Sequence, residues 1–287
     1  MEQFDILIIG GGAAGIAAAK AARGAKVLLA DSKASLGGVL LQCTHRGFGK
    51  NKSGIEYAAD LTKDFPKEVS LALNTTVLSV SDDKTALLSG REFGRKTVRF
   101  SQLILAAGCR EIPIGALPIG GTRPKGIYTA GQMQEMMNLH GFVPEGPAVI
   151  LGSGDLGLIM ARQLAEAGLA VTIVEKKAAC GGLARNRSCI TELNIPLRCG
   201  ATISEVFGHP RLEAVALTDG TRLPCKTLLI AVGLVPEQEL VQYIGDVDWL
   251  HLCGNCRMVH SMVGTVVQEG TQAGLAACRK IEIRGML

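Results

Sequence analysis

Two glycine triplets carry the first chemical signal: Gly10, Gly12 and Gly15 in GGGAAG, and Gly152, Gly154 and Gly157 in GSGDLG. In a G-x-G-x-x-G turn the first Gly permits a tight bend. The second lets backbone N–H groups approach a pyrophosphate, and the third lets the following helix pack closely on the preceding strand. A helix that starts there aims its positive end and its unpaired N–H groups at the phosphates. Each triplet is followed by a carboxylate, Asp31 in the first case and Glu175 in the second. A carboxylate about twenty residues after the first Gly is placed to accept hydrogen bonds from an adenosine ribose. At Glu175 it favours the free 2′-hydroxyl of NAD(H) over the 2′-phosphate of NADP(H). Lys176 and Lys177 follow and soften that repulsion, and NAD(H) stays the preferred nucleotide. Two such signatures in one chain are far more specific than one, and they read as sites for two dinucleotides.

The remaining chemical candidates are thiols and imidazoles. Cys43 and His45 share the loop SLGGVLLQCTHRGFG, where they could act as nucleophile and base or simply pack the loop. His260, in MVHSM, precedes the last predicted helix, and with His45 and Cys43 it completes the expected catalytic set. Cys253 and Cys256 form a C-x-x-C with three readings: structural thiols, a redox pair, or metal ligands. Ligation would need two further ligands, and no second C-x-x-C occurs, so the structural reading is the default and no metal is expected.

These residues need elements to hold them. Phe4–Ile9 is an apolar run of the kind that forms a buried parallel strand, and 13–24 is an Ala-rich helix leading to a second strand at 25–30. The pattern recurs with a strand at 148–151, a helix through Ala167 capped by Gly168, and a strand at 170–174 ending at Glu175. Buried-strand runs at 103–107, closed by Gly108, and at 228–232, closed by Gly233, complete the two halves. Between them the sequence predicts a helix over 55–61, a strand over 69–81 and a turn at Asp82-Asp83-Lys84. Further strands are predicted to Leu88 and over 96–100, with an interdomain linker over 113–126. A short strand at 249–254 and a helix over about 264–280 close the chain.

At 287 residues the chain is long enough for two domains, and its many glycines and few aromatics suit an α/β protein. A net charge of +4 without any Lys/Arg block gives nucleic acid no support as a partner. No apolar run is long enough for a membrane span. Glu2 and Asp5 stand where a secretory signal would carry positive charge. The expectation is a soluble, cytoplasmic protein with nine scattered, reduced cysteines.

With these motifs assembled, the chain resembles the pyridine nucleotide-disulfide oxidoreductase superfamily of two-dinucleotide-fold flavoproteins. The resemblance rests on GGGAAG with Asp31, LILAAG at 103–108, GSGDLG with Glu175, AVGLVP at 231–236 and HLCGN at 251–255. It implies a thioredoxin-reductase-like architecture: two three-layer, Rossmann-like α/β domains, with an NAD(P)H domain inserted into an FAD domain. The expected bounds are 1–113 and 247–287 for FAD and 114–246 for NAD(P)H. GGVLLQCTHRGFG, REIPIGALPIGGTRPKGIYTAGQMQ and GNCRMVHSMVGTVVQEGTQAG are similar to a bacterial group of NAD/FAD-dependent dehydrogenases. That group includes sarcosine-oxidase-alpha-like and anaerobic glycerol-phosphate-associated proteins.

The resemblance further implies that FAD meets Gly10, Gly12, Ala13, Ala14 and Gly15, then Asp31 and Ser32, Gly38, the backbone of Val77, Ala107 and Gly108. Gly254 and Asn255 would meet its phosphate and ribityl region, and Val267 and Gln268 its flavin edge. Asn255 replaces the usual Asp of that motif, and an amide can still donate and accept. NAD would meet Gly152, Gly154, Asp155, Leu156, Gly157, Glu175 and Gly233. The family's redox disulfide is missing from both usual places, and the stretch between Pro236 and Cys253 is short. The expected activity is hydride transfer from NADH to bound FAD, with electrons passed to a redox partner or small acceptor in a homo- or hetero-oligomer. The alternatives are a flavin dehydrogenase component that oxidises an amine or hydroxy acid, and a non-catalytic FAD/NAD-binding assembly component.

Overall fold

The computed structural model describes residues 1–285; Met286 and Leu287, the end of the segment expected in the FAD domain, lie outside the described residues. The chain divides into two compact units, residues 1–110 with 235–287, and residues 111–234. The chain thus re-enters the first unit at Val235, twelve residues before the expected 247, and leaves it at Arg110 rather than 113.

In the first unit a sheet runs in the order Ser70–Ala72, Val27–Ala30, Glu2–Ile9, Gly94–Leu105, Thr85–Gly90, Thr75–Ser81, with Leu250–Leu252 also on Gly94–Leu105. Glu2–Ile9 pairs in parallel with both neighbours, which explains its unbroken apolar run: Ile6, Leu7 and Ile8 are fully buried and face packing on both sides. The runs at 96–100 and 103–107 are one strand, Gly94–Leu105. Its first half pairs antiparallel with Thr85–Gly90, and its second half runs parallel to Leu250–Leu252. The stretch 69–81 is two strands that join different partners, Ser70–Ala72 and Thr75–Ser81, parted at Asn74, whose φ is +49°.

One face of this sheet is covered by the helices Ala13–Ala21 and Val263–Gly285. A Cβ on Gly270 would stand 2.1 Å from the Ala14 carbonyl oxygen, and one on Gly274 would stand 2.4 Å from that of Ala18. That backbone approach is why the first helix is almost all Ala. Phe4, Leu28, Leu88, Phe100, Leu103 and Trp249 form the core on the opposite face.

The second unit has a parallel sheet ordered Ile127–Thr129, Thr227–Ile230, Ala148–Leu151, Val171–Glu175, Leu197–Cys199. A second sheet contains Gly120–Gly121, Ile203–Phe207, Ala214–Leu217 and Arg222–Pro224. The segment 113–126 is therefore structure rather than linker: Ile119 is buried, and Gly120 and Gly121 pair with Glu205 and Val206. Helices Ala130–His140 and Ala184–Glu192 join the expected Asp155–Glu166. Among the described residues no helix is long and apolar enough to cross a membrane.

Candidate dinucleotide-binding sites

In each unit the three fingerprint glycines divide the same three tasks. Gly10 has φ +105°, and a Cβ there would stand 2.4 Å from the Ala106 carbonyl oxygen; Gly152 has φ +107° and the same relation at 2.3 Å to Ala231. A Cβ on Gly15 would lie 1.8 Å from the Gly10 carbonyl oxygen, and one on Gly157 2.3 Å from that of Gly152. Gly12 and Gly154 face open space, with nothing within 4 Å of an added Cβ. These two are the N-caps of Ala13–Ala21 and Asp155–Glu166, and neither helix receives a side-chain cap. A helix start without a side-chain cap leaves its first N–H groups to water or to a ligand such as a pyrophosphate. Ala13 and Ala14 open the first helix and bring no acidic group to its first turn. Asp155 opens the second, but its Oδ1 accepts from the Leu183 N–H at 2.8 Å and from Asn186 Nδ2 at 2.6 Å. Leu156 follows it, packed against the unit's core.

The two carboxylates are likewise matched. Asp31 accepts from the Gly11 N–H at 2.5 Å and from the Lys33 N–H at 2.7 Å. Glu175 accepts from the Ser153 N–H at 2.8 Å and from the Lys177 N–H at 2.9 Å. Glu175 has a third donor in the Ser153 hydroxyl at 2.6 Å, at a position where the first turn has Gly11. Burial pulls the Glu175 pKa upward, but the Ser153 hydroxyl and the Lys177 and Ser153 N–H groups outweigh it and leave it lowered. Ser153 itself is fully buried and accepts from the Gly181 N–H at 2.8 Å. Sequence reasoning missed Ser153 because it treats that motif position as free to vary.

Around the first cradle, Gly37 donates to the Gly11 carbonyl at 2.8 Å, and a Cβ on Gly38 would stand 3.0 Å from Gly12 Cα. Ser32 is exposed, and Ala107 and Gly108 are half-buried in the turn after Gly94–Leu105. The Val77 side chain sits in the core of the first unit, so its backbone is the part left to meet a ligand. Gly254, with φ +67°, is pressed against the first helix: a Cβ there would stand 2.9 Å from Ala14 Cβ. Asn255 Oδ1 accepts from the His260 N–H at 3.0 Å. Glu269, which sequence reasoning did not single out, accepts from the Gly254 N–H at 2.8 Å and from Arg257 Nη1 at 2.6 Å. Its Oε1 also lies 3.2 Å from His260 Nε2. The available clue was a lone acid in a helical stretch without any other Asp, Glu, Lys or Arg from 258 to 278. In the second unit Gly233, φ +143°, follows Thr227–Ile230 and accepts from the Ile112 N–H at 3.2 Å.

The last helix starts at Val263, one residue before the expected start, and so places Val267 and Gln268 in its second turn. The thiol candidate Cys43 differs from expectation. Cys43 is buried, and loss of solvation pushes its thiol up to about 12, so it stays protonated at neutral pH and is no nucleophile. His45 packs its ring on Phe48 at 5.2 Å between centroids. None of the nine cysteines is in a disulfide. Cys253 and Cys256 are buried with both sulfurs directed at the Leu105 carbonyl, and burial raises both thiols.

An α/β chain with two matched glycine turns on separate sheets, each joined to a carboxylate, defines a class, and comparison with known proteins names it. The chain belongs to the pyridine nucleotide-disulphide oxidoreductase family, whose pattern matches residues 4–249. The family is one of oxidoreductases that use pyridine nucleotide and FAD. It is 28% identical to the HcnB component of hydrogen cyanide synthase of Pseudomonas protegens, over 85% of this chain and 59% of that protein. It is 26% identical to an opine oxidase component of Agrobacterium tumefaciens, over 100% of this chain and 64% of that protein. The chain thus spans about three-fifths of the length of these relatives. The T. acidophilum thioredoxin reductase structure superposes with a TM-score of 0.80 at 21% identity, covering 98% of this chain and 100% of that one, and shares the fold.

Proposed function

We propose that the chain is an FAD-dependent oxidoreductase that takes hydride from NADH and passes electrons to a partner protein or a small acceptor. The observation that carries this reading is the duplication: each unit holds an uncapped helix start, an open second Gly and a carboxylate fastened to the turn. FAD would be held in the first unit by the Gly10–Gly15 turn, Asp31, Gly38 and the Gly254–Asn255 turn. The pyridine nucleotide would be held in the second by the Gly152–Gly157 turn and Glu175. Bound FAD supplies the redox chemistry, as hydride acceptor and electron donor. The protein's own part is to bind, orient and shield, which fits a site without a reactive thiol at Cys43. Glu175 ends Val171–Glu175 with a carboxylate held by Ser153 and Lys177, and a negative charge there supports NADH over NADPH. Nine cysteines without a disulfide suit a reducing, cytoplasmic setting.

Anaerobic mixing of the FAD-loaded protein with NADH and with NADPH tests the reading. Bleaching of the flavin band by NADH, faster than by NADPH, is expected. A colourless protein that cannot be reconstituted with FAD would sink it. Relatives named as components of hydrogen cyanide synthase, opine oxidase and sarcosine oxidase support a second reading, a component of a larger enzyme; its substrate in this reading would be an amine or hydroxy acid dehydrogenated by the flavin. In that case an organic donor, and not NADH, bleaches the flavin.

A further inference from the structure

The loop between Leu250–Leu252 and the last helix is tied to Glu269 by hydrogen bonds from Gly254 and Arg257, with His260 Nε2 3.2 Å from the same carboxylate. The three partners, Gly254, Arg257 and His260, all lie on that loop. The position of Glu269 is set by the next residue, Gly270, whose packing on the Ala14 carbonyl leaves no room for a side chain. The carboxylate is mostly shielded, with 14% of the side chain exposed. One oxygen takes the Gly254 N–H, and the other faces Arg257 and His260. Gly254 in turn is wedged between Ala14 of the first helix and Val266 of the last. Asn255 closes the loop by accepting from the His260 N–H, and its Nδ2 lies 3.7 Å from Cys109 Sγ, next to Gly108. One carboxylate on the last helix therefore orients a whole loop beside the first cradle.

We infer that Glu269 is a positioning residue for the FAD site, fixing the Gly254–His260 loop so that Gly254 and Asn255 are set for the cofactor before it arrives. The inference rests on the reading of the first cradle as the FAD site. Preorganisation of this kind lowers the ordering cost of binding. The hold on Gly254 is a hydrogen bond to an ionised acceptor in a shielded place, so its loss should be felt as affinity.

The test is titration of FAD into apoprotein, read by quenching of flavin fluorescence, together with the absorption spectrum of the bound flavin. NADH binding to the second cradle serves as a folding control. Glu269→Ala is expected to weaken FAD by roughly tenfold or more and to shift the bound spectrum, with NADH binding unchanged. Glu269→Gln keeps an acceptor for Gly254 and is expected to recover affinity to within about threefold of wild type. Wild-type affinity and spectrum in Glu269→Ala, or equal weakness in both variants, would overturn the inference. Should Glu269→Ala fail to fold, Arg257→Ala, which releases one side of the clamp, is expected to weaken FAD by about threefold; no weakening there overturns it. Wild-type protein that binds NADH and never FAD would remove the underlying reading of the first cradle instead.

Discussion

The Ser153 hydroxyl donates to the Glu175 carboxylate at 2.6 Å while accepting from the Gly181 N–H at 2.8 Å, so one buried oxygen joins the glycine turn, the carboxylate that follows it and the loop beyond. Asp155, two residues on, holds the same loop through Leu183 and Asn186. In the first cradle Gly11 and Ala13 occupy these positions, so Asp31 has the matching bond from the Gly11 N–H but no hydroxyl donor there.

Ser153→Ala should therefore act in two ways. It leaves the Gly181 N–H without that acceptor, which costs about 1–3 kcal/mol and is measurable as a lower urea midpoint for the second unit. It also removes a side-chain tether from Glu175, which should loosen the placement of the carboxylate and narrow the discrimination between NADH and NADPH. Separate dissociation constants for the two nucleotides check this, and an unchanged ratio would mean that the backbone bonds from Ser153 and Lys177 suffice to place Glu175.

Gly12 and Gly15 should separate binding from folding. An Ala at 15 would collide with the Gly10 carbonyl, so Gly15→Ala is expected to destabilise the apoprotein by about 1–3 kcal/mol or more. An Ala at 12 meets nothing, so Gly12→Ala should melt like wild type and still bind FAD poorly, because its methyl fills the space open to the phosphates. Melting curves of apoprotein beside FAD titrations decide it. Normal FAD binding by Gly12→Ala would contradict the assignment of that space.

The two glycine turns were almost completely legible in the sequence, because each fingerprint glycine has a local reason: a positive φ, an open approach or a packed carbonyl within five residues or across one strand. Glu269 escaped because its partners are set by a helix packed through Gly270 on Ala14, a relation no local pattern encodes. The segment 113–126 misled for a related reason. Pro and Gly mark turns, but Gly120 and Gly121 also pair with a strand more than eighty residues away. Burial likewise decides the chemistry of Cys43, whose loop context alone is compatible with a nucleophile.

Thiol labelling at mildly alkaline pH should sort the cysteines by burial rather than by motif. Cys199 is exposed and should react first. Cys43, Cys189, Cys225, Cys253 and Cys256 are buried, with thiols raised by desolvation, and should react only on unfolding. Mass spectrometry of the labelled native protein identifies the sites. Rapid modification of both Cys253 and Cys256 would revive the redox-pair reading.

Glu175 should also give the second unit a specific acid sensitivity. Its folded pKa is lowered: burial works the other way but is outweighed by hydrogen bonds from the Ser153 hydroxyl and from the Lys177 and Ser153 N–H groups. A depressed carboxylate contributes stability that is fully present above its unfolded pKa, about 4.3, and disappears as pH falls through the lower folded value. Glu175→Gln cannot titrate. The stability gap between wild type and this variant should therefore be constant near neutrality and shrink progressively below about pH 5. Urea midpoints of the two proteins at matched ionic strength measure that gap. A gap that stays the same into the acid range would mean that the Ser153 and Lys177 donors do not favour the ionised form.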